Sequence, residues 1–267
     1  MKPITSRDNP LYKEIKLLAT SSQARRKARR TLLDGIHLCD VYLRQVGHPV
    51  LAIVNDAASA HPEVAALVAE CERRRVQAIS LPDSLYKAIS QVENGIGILF
   101  VVDTPEPSDP GALAESAVLL DNLQDPGNMG SILRSAAAAG VRHVLCGPGT
   151  VFAWSPKVLR AGMGAHFLLN IVEGIDLETV VSAARVPVLA TSSHAAKTVY
   201  DVDLSRPVAW MFGHEGQGVS ENLLRKASVT VGIPHIGKIE SLNVAASVAV
   251  CLFEQVRQTM ASPDGKT

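Results

Sequence analysis

Aromatic residues are scarce in this chain, at 4% of its 267 residues, and no apolar run is long. Val244–Phe253 is among the longest such runs, well short of the ~20 residues that a membrane-spanning helix needs. No apolar segment follows Met1, so we expect a cytoplasmic protein with no membrane partner. Hydrophobic residues nevertheless make up 47% of the chain, which excludes a disordered or collagen-like protein.

Metal-binding patterns are also missing. The four cysteines, Cys39, Cys71, Cys146 and Cys251, form no CxxC pair, and the eight histidines form no HxxxH or HExxH pattern. Without such spacing the sequence predicts no metal site. We expect the cysteines to be free, buried thiols.

Net charge is zero, but the charges are unevenly distributed. Residues 1–30 carry a net charge of +7, which leaves −7 for the rest of the chain. Much of the excess lies in Arg25–Arg30, within a helix that we predict over Gln23–Arg30. A basic segment on an acidic protein favours a polyanionic partner. A solvated helix face that binds nothing is the alternative.

The chain is predicted to form two domains. Three prolines fall within the nine residues Asp103–Gly111, a composition typical of a domain boundary. We therefore predict a first domain over residues 1–102, a linker over 103–114 and a second domain over 115–262. In both domains apolar strands alternate with amphipathic helices, which predicts open α/β sheets. The last residues, 262–267, are expected to fray.

The first segment with candidate chemistry runs from Asp121 to Arg134 and reads DNLQDPGNMGSILR. A strand is predicted to end at Asp121, and a polar turn leads into a helix with Asn128 as its N-cap. Arg134 stands alone among apolar and small residues in that helix. Its charge either extends to solvent or faces an anion.

The second segment, Trp210–Gly218, is an apolar strand that runs into three glycines, which let the backbone approach a ligand closely. The glycine order is GxxGxG, and no GK[ST] follows, so the loop does not match a nucleotide-phosphate motif. Glu215 would also repel a phosphate. A neutral or cationic ligand suits the loop better, and the sulfonium of S-adenosylmethionine is such a ligand.

The third segment, Ile233–Val244, joins a strand end to the terminal helix that we predict over Leu242–Met260. Ser241 or Asn243 can cap that helix. Taken alone, the segment favours an ordinary connecting loop.

Together the three segments resemble the signature motifs of the SpoU–TrmH family of RNA ribose 2′-O-methyltransferases, in the SPOUT (α/β-knot) superfamily. The matching residues are Asp125, Pro126, Asn128, Gly130 and Arg134 in the first segment, Phe212, Gly213, Glu215 and Gly218 in the second, and Ile233, Pro234, Gly237, Ser241, Leu242, Asn243 and Val244 in the third.

The resemblance implies a trefoil-knotted C-terminal domain with a mostly parallel sheet, preceded by a smaller α/β domain that binds substrate and resembles ribosomal protein L30e. It implies S-adenosyl-L-methionine as cofactor, RNA as substrate and a homodimer that uses the terminal helix. Ribosomal RNA is the preferred substrate because of the separate N-terminal domain. The alternatives are a transfer-RNA 2′-O-methyltransferase and a non-catalytic RNA-binding knot protein. A nucleotide-dependent Rossmann enzyme is disfavoured because its glycine fingerprint is missing.

The resemblance also implies roles for individual residues. It assigns activation of the ribose hydroxyl to Arg134, and we hypothesise that Arg134 also, or instead, clamps a neighbouring phosphate. The implied catalytic and supporting residues are Arg134, Asn128, Glu215, Ser241 and Asn243. The implied cofactor-binding residues are Thr191, Gly213, Gly218, Ile233 and Leu242. We expect the RNA-binding residues to be Arg25, Arg26, Arg29 and Arg30.

Overall fold

The computed structural model describes residues 1–92 and 95–261. Its contacts divide the chain into two compact units. The first consists of Met1–Glu106 and Trp154–Phe167, and the second of Pro107–Ala153 and the chain from Leu168 onward. The fraying predicted for residues 262–267 lies outside the described residues.

Short strands and helices alternate along most of the chain. The strands are β1 (Lys2–Pro3), β2 (Arg30–Asp34), β3 (Leu51–Asn55), β4 (Ala78–Leu81), β5 (Ile98–Asp103), β6 (Ala117–Leu120), β7 (His143–Cys146), β8 (Asn170–Glu173), β9 (Val188–Thr191), β10 (Lys197–Thr198), β11 (Ala209–Phe212) and β12 (Val229–Gly232). The α-helices are α1 (Pro10–Thr20), α2 (Ser22–Ala28), α3 (Ile36–Gln45), α4 (Pro62–Arg73), α5 (Asp83–Lys87), α6 (Pro126–Ala138), α7 (Pro156–Gly162), α8 (Leu177–Ala183), α9 (Glu221–Lys226) and α10 (Val244–Ala261). Short 3₁₀ turns occupy Asp56–Ala58, Ala165–Leu168 and Val199–Asp201.

The first unit contains a mixed five-stranded sheet in the order β1-β4-β3-β5-β2. Strands β1, β4 and β3 are parallel, whereas β5 runs antiparallel to both β3 and β2. Helix α1 begins where Asn9 Oδ1 accepts a hydrogen bond from Leu11 N at 2.9 Å, with Pro10 in the first helical position. Its residues Tyr12, Ile15 and Leu18 are buried in the core of this unit.

The second unit contains a seven-stranded sheet in the order β10-β12-β9-β11-β6-β7-β8, and every pairing is parallel. From β6 the chain continues to β7 on one side, while from β11 it continues to β12 on the other side. The connections that follow β6 and β11 therefore leave the sheet in opposite directions, and the loops between them open a crevice at the carboxyl edge. This arrangement agrees with the mostly parallel sheet that the resemblance implies, and the knot itself stays a prediction.

The basic helix of the first unit is shorter than predicted. Helix α2 ends at Ala28, and Arg29 adopts a left-handed conformation with φ 52°. The next residue, Arg30, begins strand β2 and pairs with Asp103. Local periodicity does not reveal this strand, because its stabilising partner lies some 70 residues away in the sequence. The predicted helix over Gln23–Arg30 was thus wrong at its C-terminal end.

The segment Trp154–Phe167, which the sequence places in the second domain, makes its contacts within the first unit. Thr31 Oγ1 donates a hydrogen bond to the carbonyl of Trp154 at 2.8 Å, and Arg160 Nη1 donates one to the carbonyl of Gln91 at 2.9 Å. The predicted linker over 103–114 is ordered too, since Leu113 is buried in the core of the second unit. The boundaries 1–102 and 115–262 stay a prediction.

Helix α10 is held to the second unit by buried polar contacts as well as apolar ones. Trp210 Nε1 donates a hydrogen bond to Gln255 Oε1 at 2.8 Å, and Gln255 Nε2 donates one to Ser116 Oγ at 3.0 Å. Val248, Cys251 and Leu252 of this helix are buried. No helix in residues 1–92 and 95–261 is long and apolar enough to cross a membrane.

Candidate active site

Four loops of the second unit meet at the carboxyl edge of its sheet. They follow β6, β11, β9 and β12, which are consecutive in the strand order, so their loops lie side by side. Those after β9, β11 and β12 line a cleft of ≈ 390 Å³, which we call the carboxyl-edge cleft. All five of the predicted cofactor-binding residues line it: Thr191, Gly213, Gly218, Ile233 and Leu242. Glu215 and Ser241, from the predicted catalytic set, also line it.

The Glu215 carboxylate joins the loop after β11 to the turn after β6. Its Oε1 accepts hydrogen bonds from Asp125 N at 3.0 Å and from Asn128 Nδ2 at 3.1 Å. Its Oε2 accepts one from Gln124 N at 3.2 Å. The two loops that diverge at the crevice are therefore tied together by one side chain.

The hydrogen bonds to Glu215 keep it ionised. Burial by itself would raise the pKa of this carboxyl, but the bonds from Asn128 and from the backbone N–H groups of Asp125 and Gln124 outweigh it. The pKa of Glu215 consequently lies below its usual value. A carboxylate that accepts three hydrogen bonds from the protein serves as a fixed acceptor between these loops.

Asn128 extends this connection to the third segment. Its Oδ1 accepts a hydrogen bond from Asn243 Nδ2 at 2.9 Å. Asn243 Oδ1 in turn accepts from Ala245 N at 2.9 Å and from Ala246 N at 3.3 Å, which caps α10. One chain of hydrogen bonds, Glu215–Asn128–Asn243, thus connects all three sequence motifs.

The cap of α6 differs from the prediction. Asp125, not Asn128, is its N-cap, because Asp125 Oδ1 accepts a hydrogen bond from Asn128 N at 2.7 Å. Pro126 then occupies the first helical position, where its fixed φ and missing N–H cost nothing. The earlier start leaves the side chain of Asn128 available for Glu215 and Asn243.

The glycine loop after β11 is closed by its own backbone. His214 N donates to Gly218 O at 3.0 Å, and Gly218 N donates to His214 O at 2.8 Å. Gly213 has no room for a side chain, because a Cβ there would lie 2.0 Å from the carbonyl carbon and oxygen of Gly218. Gly218 itself has φ +70°, a conformation that glycine adopts without strain.

Arg134 lies on α6, outside this hydrogen-bond chain. It is exposed and forms no hydrogen bond or ion pair with any residue that the structure describes. The sequence left open whether Arg134 extends to solvent or faces an anion. An exposed guanidinium is compatible with both interpretations. Ser241 is exposed as well, at the edge of the carboxyl-edge cleft.

The four arginines expected to bind RNA differ in their burial and in their partners. Arg25 is 7% exposed, and its Nη1 donates to the carbonyl of Leu18 at 2.6 Å, which satisfies the C-terminal end of α1. Arg29 is paired with Glu106, and Arg30 with Asp103. Arg26 is exposed on α2. The charge of Arg25 is thus used inside the fold, and RNA binding by these four residues stays a prediction.

Three polar residues of this site escaped the sequence analysis. Gln124 donates its amide hydrogens to Asn122 and to the carbonyl of Gly149, which positions the turn after β6. Asp121 Oδ2 accepts from Ser220 N at 2.8 Å and holds the far end of the glycine loop. His235 lines the carboxyl-edge cleft. Gln124 and Asp121 stand inside the first motif, so their position there was the available signal.

No group of three or more His, Cys, Asp or Glu side chains in residues 1–92 and 95–261 could hold a metal ion. Cys39, Cys71, Cys146 and Cys251 are free and buried. Burial raises the pKa of each thiol, to about 11 at Cys71 and about 12 at Cys251, so these groups stay protonated and unreactive.

Comparison with known proteins agrees with the motifs. Residues 115–253 match the SpoU rRNA Methylase family. The chain is 31% identical to the 23S rRNA (guanosine(2553)-2′-O)-methyltransferase RlmP of Bacillus subtilis, over 95% of this chain and 98% of that protein.

Two solved structures are similar over almost the whole chain. The crystal structure of an RNA 2′-O ribose methyltransferase has a TM-score of 0.79 at 30% identity and covers 97% of this chain and 99% of its own. An AdoMet-bound rRNA methyltransferase from Sinorhizobium meliloti has a TM-score of 0.81 at 27% identity, with 96% and 97% covered. On the family match, the full-length relative and the three connected motifs, this chain belongs to the SpoU rRNA methylase family of RNA 2′-O-ribose methyltransferases.

Proposed function

We propose that this protein transfers a methyl group from S-adenosyl-L-methionine to a ribose 2′-hydroxyl of 23S ribosomal RNA. The observation that carries the proposal is the Glu215–Asn128–Asn243 hydrogen-bond chain, which ties the three family motifs together beside the carboxyl-edge cleft. The relative RlmP and the AdoMet-bound structure support the substrate and the cofactor.

The carboxyl-edge cleft suits the cofactor in shape and charge. None of the described residues that line it is Lys or Arg, so it offers no counter-charge for a phosphate. Gly213 and Gly218 bring bare backbone to the wall, where a Cβ at Gly213 could not fit. When bound, S-adenosylmethionine supplies an electrophilic methyl group on a positively charged sulfur. A cleft with an ionised Glu215 and no fixed cation tolerates that charge better than a phosphate.

The nucleophile needs positioning more than it needs a strong base. With the cofactor bound, the ribose 2′-oxygen would form the new bond to the methyl carbon and lose its proton to solvent, and S-adenosylhomocysteine would leave with the electron pair of the broken carbon–sulfur bond. In this proposal Arg134 clamps a substrate phosphate and so orients that oxygen, and its exposed guanidinium without a partner among the described residues supports the role. A guanidinium group donates several hydrogen bonds in a fixed planar arrangement and accepts none, which favours the clamp over the base. Ser241 stays a candidate for a further contact.

A homodimer is part of the proposal. Helix α10 and the loop before it leave large apolar side chains exposed, among them Phe253 at 49%, Ile239 at 64% and Leu242 at 38%. Exposed apolar groups of this size are covered by a second copy at many homodimer interfaces.

The first unit supplies RNA affinity through exposed basic residues such as Arg26 and Lys27. A ribosomal substrate also supports the cytoplasmic location expected from the sequence.

The test combines binding and transfer. Isothermal titration should detect S-adenosylmethionine but not NAD, which would separate a methyltransferase from a Rossmann enzyme. Transfer of labelled methyl groups to 23S rRNA and to transfer RNA then separates the proposed substrate from the alternative and an enzyme from a non-catalytic binder. Mapping of 2′-O-methyl positions with and without the gene identifies the nucleotide.

Replacing Arg134 tests its role. We expect Arg134→Ala to lower methyl transfer by about 10²-fold or more, while S-adenosylmethionine affinity stays the same, because the side chain lies outside the cofactor cleft. Arg142→Ala is the matched control, since Arg142 is also an exposed arginine of the second unit. Wild-type transfer by Arg134→Ala would refute the assignment.

A further inference from the structure

His235 is the polar residue of the carboxyl-edge cleft whose bonding the fold leaves incomplete. Its Nε2 is buried and has no hydrogen-bond partner among the described residues. The residue follows β12 in the third motif and lines the cleft. A buried ring nitrogen without a partner is a standing cost to the folded protein.

The other polar side chains of the cleft are accounted for. Several bond to the protein: Thr191 Oγ1 donates to Met211 O, Ser192 Oγ accepts from His194 N, His214 Nδ1 accepts from Gly216 N, Glu215 accepts from three donors, and Ser247 Oγ donates to Asn243 O. The rest are exposed to solvent: Ser193, His194, Gln217 and Ser241. Among the described lining residues, only His235 has a polar atom that is both buried and unpaired.

We propose that His235 is a cofactor-binding residue of this protein, whose Nε2 forms a hydrogen bond with S-adenosylmethionine when the cleft is filled. The inference rests on the proposed function, because the cofactor is the ligand that the cleft is assigned there. The unpaired nitrogen lowers the stability of the free protein. The hydrogen bond that it forms on binding raises the affinity for the cofactor.

The proposal predicts that one substitution has opposite effects on the stability of the free protein and on its affinity for the cofactor. In His235→Leu the free protein loses an unsatisfied buried nitrogen, so its Tm should be unchanged or higher. Its Kd for S-adenosylmethionine should rise roughly tenfold, because the bond made on binding is gone. A residue with a purely structural role would instead lower the Tm when replaced.

Glutamine and asparagine variants of His235 test which ring nitrogen forms the hydrogen bond with the cofactor. The amide of glutamine reaches the position of Nε2, whereas that of asparagine reaches only as far as Nδ1. We expect His235→Gln to retain affinity within about threefold and His235→Asn to lose about as much as the leucine variant. His61→Leu is the matched control, since His61 belongs to the first unit and also has a buried ring nitrogen without a hydrogen-bond partner among the described residues, and the affinity of this variant should change less than twofold.

The measurements are isothermal titration with S-adenosylmethionine and with S-adenosylhomocysteine, and thermal unfolding of the free protein. Equal affinities of the His235→Leu variant and the wild-type protein for S-adenosylmethionine would overturn the proposal. A fall in the Tm of the free His235→Leu protein would overturn it as well. A wild-type protein that binds neither ligand would refute the proposed function itself. The two failures are thus distinguishable.

Discussion

Two glycines in the loop after β11 meet opposite steric conditions. At Gly213 a Cβ would lie 2.0 Å from Gly218 and 2.2 Å from Val219 N, distances that require the backbone to move. At Gly216 the nearest atoms to a Cβ would be those of the His214 ring at 3.7 Å, an ordinary contact. The loop therefore depends on one of these glycines and tolerates replacement of the other.

We expect Gly213→Ala to lower the free energy of unfolding by about 3 kcal/mol or more and to abolish cofactor binding, because the clash is with backbone. Gly216→Ala, the matched control, should change stability by less than about 1 kcal/mol. Urea unfolding and titration with S-adenosylmethionine measure both effects. Equal stabilities of the two variants would contradict the steric argument.

At the scale of whole elements, the sequence predicted the second unit better than the first. Strands β7 and β9 were predicted with the bounds that the structure has, because each is a short apolar run of a buried parallel sheet. Strand β2 was missed, since its pairing with β5 joins distant segments. The use of Arg25 to cap α1 was also unpredictable, because a charge within a basic run gives no sign of which helix end it will reach.

The same limit applies to the site. The motifs identified Asn128, Glu215 and Asn243 as polar residues at strand and helix ends, but not that they bond to one another. Asn243 reaches Asn128 only because β12 and β6 end at the same edge of one sheet. His235 was missed because a histidine in a loop becomes informative only when its burial is known.

Helix α10 contains a pH-sensitive contact. Glu254 accepts two hydrogen bonds from Arg257 and one from Gln258, which lower its pKa from 4.5 to about 2. A carboxylate with a lowered pKa stabilises the fold fully above its unfolded value of 4.5 and progressively less as the pH falls towards 2. Stability carried by this contact should therefore be lost in acid.

We expect the urea midpoint of the wild-type protein to fall further between pH 5.5 and pH 3 than that of Glu254→Gln, which has no carboxylate to titrate. Glu221→Gln is the control, because Glu221 is exposed on α9 and should leave the pH dependence unchanged. Parallel curves for the wild type and Glu254→Gln would show that this contact does not contribute.

At the scale of the whole molecule, the proposed dimer can be tested through Phe253, half-exposed on α10. We expect Phe253→Glu to shift the protein from dimer to monomer in sedimentation, because a carboxylate buried in an apolar interface is strongly unfavourable. Leu17→Glu is the matched control, since Leu17 is 55% exposed in the first unit. A wild-type protein that sediments as a monomer would exclude the dimer.

RNA binding by basic residues of the first unit is a prediction that the salt dependence of the affinity tests. Arg26 and Lys27 are exposed on α2, whereas Arg25 is buried. RNA helices present mostly phosphates and 2′-hydroxyls to proteins, so this affinity should depend on salt.

Replacing Arg26 and Lys27 together with alanine should weaken RNA binding, and the loss should shrink as salt rises. For each phosphate contact removed, the slope of log K against log salt should become shallower by roughly 0.7 to 0.9. The matched control replaces Arg73 and Arg75 together with alanine. Both are exposed at the C-terminal end of α4, and their replacement changes the net charge by the same amount. Cofactor affinity should be unchanged in both, because the carboxyl-edge cleft belongs to the second unit. If both double variants lower the slope equally, net charge rather than α2 attracts the RNA, and if neither does, the exposed face of α2 is only solvated.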